Sequence, residues 1–304
     1  MEPCNYYAYY GNNAFTSGSF ISDAFTFDKT PVQGVVFGCS GNSAGDYSGA
    51  SGVVGLGRGP LSLVSQLALS NFSYFMSPQD SDRGIQIELG DVAVPLATDR
   101  SRSTRLQRSI MYTDSYYVGL AGIQVDGQDL AGIPPGTFDL RSDGSGGVAL
   151  STTVPVTFLQ EAAYRVLKQA FISRIPSRPV DASQLGIGLD LCYMAGVKVP
   201  RLTLVFDGVD AALDLSTANY FFKFNDGRRD LQCLTVLPSR GMSVLGSLLQ
   251  MGTKMIYDLN GEQLTFVMQD ATPATSSPAP PSSSQQATAW LATVVPIAVW
   301  SLLF

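Results

Sequence analysis

Apolar residues along this chain recur mainly in short runs of alternating character, and Gly, Pro, Asn or Asp separate the runs. A period of two predicts half-buried strands joined by turns. Residues 19–27 alternate in part, and residues 34–37 (GVVF) form a short apolar run. Residues 116–125 (YYVGLAGIQV) give another strand, with Asp126-Gly127 as the turn that follows. Residues 201–206 (RLTLVF) alternate cleanly. Residues 254–259 and 263–268 flank Asn260-Gly261-Glu262, the strongest local hairpin signal in the chain.

A helical period appears in two places. Residues 60–70 begin with Pro60 at a first-turn position and set Leu61, Val64, Leu67 and Ala68 on one face. Residues 159–173 set Ala163, Val166, Leu167, Ala170 and Phe171 on one face, with Glu161 and Arg165 spaced i, i+4. Many strands and few helices predict an all-β architecture.

The length of 304 residues allows one large domain or two lobes. Residues 99–108 (DRSRSTRLQR) form a basic run without interleaved aromatics. They read as a solvated segment between lobes, not as a nucleic-acid site. The net charge of −6 also argues against a phosphate-binding surface, so no nucleic-acid partner is expected. The division expected from this is residues 1–100 and 101–270, then a Pro/Ser/Ala/Thr-rich linker at 271–286 and an apolar tail at 287–304.

The chain contains no His. Ser-His-Asp and Cys-His catalysis are therefore excluded within it, as is His-ligated zinc. Four scattered Cys (Cys4, Cys39, Cys192 and Cys233) form no CxxC pair, and no metal site or cofactor is expected. Their even number and long spacing suit two disulfides in an oxidising compartment; four buried thiols are the other reading.

The tail is 18 residues without a charge, about the minimum that crosses a bilayer. Small residues, a polar spacer and a terminal apolar run are the signal for a glycolipid (GPI) anchor, with Ala274, Ser276 and Ser277 as attachment candidates. The rival reading is a tail-anchored transmembrane helix. Residues 1–10 (MEPCNYYAYY) have neither the basic nor the apolar region of a signal peptide. Two expectations reconcile the ends: the native N-terminus lies upstream of residue 1, or the tail is vestigial. The first places the protein at the extracellular face of the plasma membrane. Without a signal peptide, the tail alone would attach it to a membrane.

Several collinear segments together resemble the plant nepenthesin-like branch of the pepsin-type aspartic proteases. CNYYAYYGNNAFTSG at 4–18 is similar to that branch's flap hairpin, with Tyr10 at the flap tyrosine. FGCSGNSAGDYSGASGVVGLGRGPLSLVSQL at 37–67 is close to its Gly-Leu-Gly-Arg-Gly-Pro-Leu-Ser-Leu segment. IPPGTFDLRSDGSGG at 133–147 and SVLGSLLQMGTKMIYDLNGEQLTFV at 243–267 resemble the approach to the second catalytic loop and the closing segment. The resemblance implies a pepsin-like fold of the bilobal double-β-barrel type, here with the first lobe incomplete. It implies a cleft that takes an extended polypeptide, a monomer, and a Cys192–Cys233 bridge. Cys4 and Cys39 match first-lobe cysteines and form a second candidate pair.

The family's chemistry uses two Asp, one from each lobe, that share a proton: one activates water and the other protonates the peptide carbonyl. No Asp-Thr-Gly or Asp-Ser-Gly occurs here. The first such loop lies upstream of the flap in the family. Matching VALSTTVPVTFL to the family pattern puts Ser151 at the second aspartate, with Thr152 and Thr153 in the Ser and Gly positions. A serine cannot carry the charge that activates water, and β-branched Thr153 should disturb a turn that needs a glycine. The resemblance thus implies an aspartic-type endopeptidase family protein whose proteolysis has lapsed in this chain. The alternative is a non-catalytic binding or inhibitor-like protein at the cell surface or wall. Asn71-Phe72-Ser73 is a glycosylation sequon leading into an apolar run.

Overall fold

The computed structural model describes residues 4–10, 14–27, 29–45, 50–78, 84–93, 101–181 and 188–268. These divide into two compact units, one within residues 4–69 and one within residues 70–268.

In the first unit, strands Asn5–Tyr9, Phe15–Phe27 and Thr30–Ala44 form an antiparallel sheet in chain order. Both longer strands outrun their apolar runs because Ser, Thr and Asn continue the ladder after the alternation stops. The helical pattern at 60–70 yields only the single turn Leu63–Gln66. Ser62 caps it by accepting from Ser65 N at 3.2 Å, and Ala68 ends it with φ 49°. Gln66 then acts as a substitute strand residue: its Nε2 donates to Val36 O and its Oε1 accepts from Val36 N, both at 2.8 Å.

The second unit carries a ten-stranded sheet, a three-stranded sheet and a four-stranded sheet. Strands Thr253–Asp258 and Gln263–Met268 form the hairpin expected from Asn260-Gly261. Asp258 Oδ1 accepts from Asn260 N and Gly261 N and fixes its turn. The run at 116–125 splits into Tyr117–Val118 and Leu120–Val125 around Gly119, where a Cβ would lie 1.9 Å from the Asp207 carboxylate. Helix Glu161–Arg174 buries Ala163, Leu167, Ala170 and Phe171, as its period predicts, but leaves Val166 of the same face half-buried and buries Tyr164 as well.

The basic run is not a solvated connection. Ser101–Gln107 is a strand of the ten-stranded sheet, between Tyr117–Val118 and Gln263–Met268. Its alternation is real but hidden by charge: Thr104 and Leu106 are buried, while Arg105 faces solvent within 3.7 Å of Glu262. The architecture is mostly β, as expected. Among the described residues no sheet closes on itself, so the sheets are open and not barrels.

Two features anchor the core of this unit. Phe72 stacks on Tyr257 with centroids 4.4 Å apart, and Tyr116 packs against both rings. Elsewhere Val156, Phe158, Leu189, Leu231, Leu237 and Val244 surround Cys192 and Cys233.

Candidate functional site

The turn that holds Ser151 is built from two arms and an inserted strand. Strand Val148–Leu150 runs parallel to Ser243–Leu245 and antiparallel to Tyr117–Val118. The chain then turns and returns as Thr157–Gln160, which meets the other side of Ser243–Leu245 through Phe158 and Val244. One strand therefore fills the gap between the two arms of a single loop.

Backbone and hydroxyl bonds close this arrangement. Ser151 N donates to Leu245 O at 3.1 Å, Ser247 N to Val154 O at 2.8 Å and Leu248 N to Pro155 O at 3.1 Å. Gly246 N donates to Thr157 Oγ1 at 3.0 Å, and Gln160 N to Ser243 Oγ at 3.0 Å. Gly246 permits the close approach: a Cβ there would sit 2.3 Å from Val156 O.

Ser151 Oγ accepts from Val154 N at 3.2 Å, so its hydroxyl helps close the turn. Ser151 is half-buried, and Thr152 and Thr153 are exposed. Among the described residues, the non-glycine positions with left-handed φ are Ala68, Asp126, Asp210 and Glu262, so Thr153 does not adopt that conformation.

Beneath the turn lies Gln250, a buried residue the apolar run SVLGSLLQ did not single out. Its Nε2 donates to Ser151 O at 3.0 Å, Leu245 O at 2.9 Å and Gly246 O at 3.3 Å. Its Oε1 accepts from Tyr74 OH, which also meets Tyr257 OH at 3.1 Å. Burial pushes the Tyr74 phenol far above its ordinary value, although Tyr257 pulls against it, so Tyr74 remains a protonated donor.

The chemistry available is narrow. Residues 148–160 and 243–250 contain no Asp, Glu, Lys, Arg, His or Cys. The turn can exchange hydrogen bonds with a polar ligand through Ser151, Thr152 and Thr153. It holds no group that ionises near neutral or acidic pH, and hence no base for water.

The other sequence candidates belong to other elements. Tyr10 belongs to the first unit, where its N donates to Ala14 O at 2.9 Å and closes the hairpin; residues 11–13 lie outside the described residues. Cys192 and Cys233 face each other on adjacent antiparallel strands and are bonded, with Cα atoms 4.0 Å apart. Cys4 and Cys39 are exposed free thiols, which overturns their candidate pairing. Strand Phe15–Phe27 runs between the two segments that carry them, with Phe20 N bonded to Cys4 O and Ser19 opposite Cys39. Two strand spacings, about 9–10 Å, exceed the reach of a disulfide.

Asn71 opens a strand in which Phe72 and Ser73 are buried, and its Nδ2 donates to Ser70 Oγ at 3.3 Å. Ala274, Ser276 and Ser277 lie outside the described residues. Among the described residues no helix is long and apolar enough to cross a membrane, and no three His, Cys, Asp or Glu side chains gather as metal ligands.

Two family models match: one described as xylanase inhibitor N-terminal over residues 1–91, and one as xylanase inhibitor C-terminal over residues 115–268. The chain is 35% identical over 272 residues to the aspartic proteinase nepenthesin-2 of Nepenthes gracilis, covering 87% of this chain and 60% of that one. It is 34% identical over 271 residues to nepenthesin-1 of the same plant, covering 86% and 60%. It thus spans about three-fifths of the length of these relatives. Among solved structures, basic 7S globulin from soybean superimposes with a TM-score of 0.69 at 20% identity, over 89% of this chain and 77% of that one. That likeness speaks for the fold alone.

Proposed function

This chain belongs to the plant nepenthesin-like family of atypical aspartic proteases, and we propose that it binds extended polypeptide without cleaving it. The observation that carries the proposal is Ser151. By its resemblance to the family pattern it takes the place of the second catalytic Asp, in a turn whose flanking segments contain no ionisable side chain. Whatever precedes residue 1, a carboxylate supplied from upstream would have no partner in this turn. Loss of one member of a cooperating catalytic unit costs on the order of 10⁴-fold or more in rate.

The turn itself is closed by hydrogen bonds, with Ser151 Oγ supporting its backbone. This favours a role in presenting a surface. The two matching family models are described as parts of a xylanase inhibitor, which supports a binding role with a protein partner. The uncharged tail at 287–304 supports attachment to a membrane, by a glycolipid anchor or by the tail itself.

A chimera tests the reading. The upstream segment of nepenthesin-1, with its catalytic loop, is joined to this chain. It is assayed on a denatured protein at acidic pH, once with Ser151 and once with Ser151→Asp and Thr153→Gly together. The expected result is pepstatin-sensitive cleavage by the substituted form only. Equal cleavage by both would refute the proposal.

A further inference from the structure

On the second unit a groove of about 700 Å³ shares no lining residue with the Ser151 turn. Its floor is the stretch from Gly119 to Ile123. Gly122 leaves the floor low, since a Cβ there would meet nothing within 4 Å. Leu130, Ile133 and Phe138 supply apolar wall. Asp129, Asp139 and Asp207 stand along the groove, all three exposed, and no Lys or Arg is among the described lining residues.

The floor is also a strand edge. Strand Leu120–Val125 pairs on one side with Leu202–Phe206. On the other side Gln128–Asp129 pairs with it only at Gln124 and Val125, and Leu130 N then reaches Ile123 O at 3.0 Å. Beyond that bond, no strand among the described residues runs along Leu120 to Gly122 on that side. An edge of this kind accepts an added strand through main-chain bonds, while alternate side chains enter neighbouring pockets.

From the open edge, the apolar wall and the three exposed carboxylates, of which Asp129 already accepts from Gln124 Nε2 at 2.9 Å, we infer that this groove is a second polypeptide site, one that takes an extended segment of a partner protein rich in Lys or Arg. The backbone of the segment lies along Leu120 to Gly122. Its apolar residues pack toward Leu130, Ile133 and Phe138, and its cations meet Asp129, Asp139 and Asp207. The inference is independent of the reading of Ser151, because nothing in the groove depends on the catalytic loop.

Fluorescence anisotropy with the full chain tests it. The probe is a labelled, capped peptide of alternating Lys and Val; the control alternates Glu and Val. Gly122→Leu adds a side chain to the floor at a position where its Cβ meets nothing within 4 Å, and Asp129→Asn with Asp139→Asn removes exposed charge. Thermal melts identify any variant that fails to fold. The expected result is salt-sensitive binding of the Lys peptide, weakened about tenfold or more by each change with the melt unchanged. Any of three results would overturn the inference: no binding of the Lys peptide, equal binding of the Glu peptide, or unchanged binding by well-folded variants. Self-association of the chain blocked by Gly122→Leu would also overturn it, because the occupant would then be a second copy.

Discussion

Gln250 Nε2 lies 3.0 Å from Ser151 O, so a buried amide, not a charged group, holds the centre of the candidate site from below. The same amide reaches Leu245 O and Gly246 O and receives Tyr74 OH. Replacing it by Leu would fill similar volume but leave Tyr74 OH without its shortest partner. Gln250→Leu should destabilise the protein by about 1–3 kcal/mol. A denaturant melt checks this, and an unchanged midpoint would show that the network carries little.

Gly246 and Gly122 make a matched pair. A Cβ on Gly246 would lie 2.3 Å from Val156 O and 2.6 Å from Pro155 O, backbone atoms that cannot swing aside. Gly246→Ala should cost about 1–3 kcal/mol or more. Gly122→Ala, which meets open space, should stay within about 0.5 kcal/mol of the parent. Equal melts for the two variants would contradict the packing of the inserted strand.

Glu88 gives the expected pH dependence. Burial pushes its carboxyl up, but Lys254 at 2.6 Å and Ser73 at 3.0 Å outweigh that and hold it below its ordinary 4.5. A carboxyl depressed by folding stabilises above its unfolded value, and that gain is lost as pH falls through the folded value. Glu88 is 41% exposed, so solvent screening keeps the gain under about 1 kcal/mol. Glu88→Gln should therefore melt slightly lower at neutral pH, with the gap closing below pH 4.5. A gap that widens on acidification would reverse the assignment.

The Cys192–Cys233 bridge closes a loop of 41 residues between two buried strands. Its replacement by paired Ala should cost about 2–4 kcal/mol. Treating the parent with thiol reductant should give a similar loss in the melt. Alkylation without reductant should label Cys4 and Cys39 alone, since these are the exposed thiols.

What the sequence made legible follows from local physics. Asn260-Gly261 between alternating runs marked a hairpin, and the spacing from Ala163 to Phe171 marked a helix, because each signal is contained within its own element. The strand Ser101–Gln107 was hidden, since its arginines on the solvent face look like a charged linker when burial is unknown. The turn at Ser151 was placed by resemblance, but its inserted strand comes from residues about 90 positions later, a separation beyond any periodicity. Gln250 left no signal beyond a lone polar residue closing an apolar run. The separation of Cys4 from Cys39 needed the strand order, which their spacing does not contain.

The most direct test is acid proteolysis by the purified chain. Denatured protein substrate is incubated with it across the acidic range, with and without pepstatin, and new termini are counted. No termini beyond the pepstatin-treated baseline are expected. Sustained, pepstatin-sensitive production of new termini would contradict this.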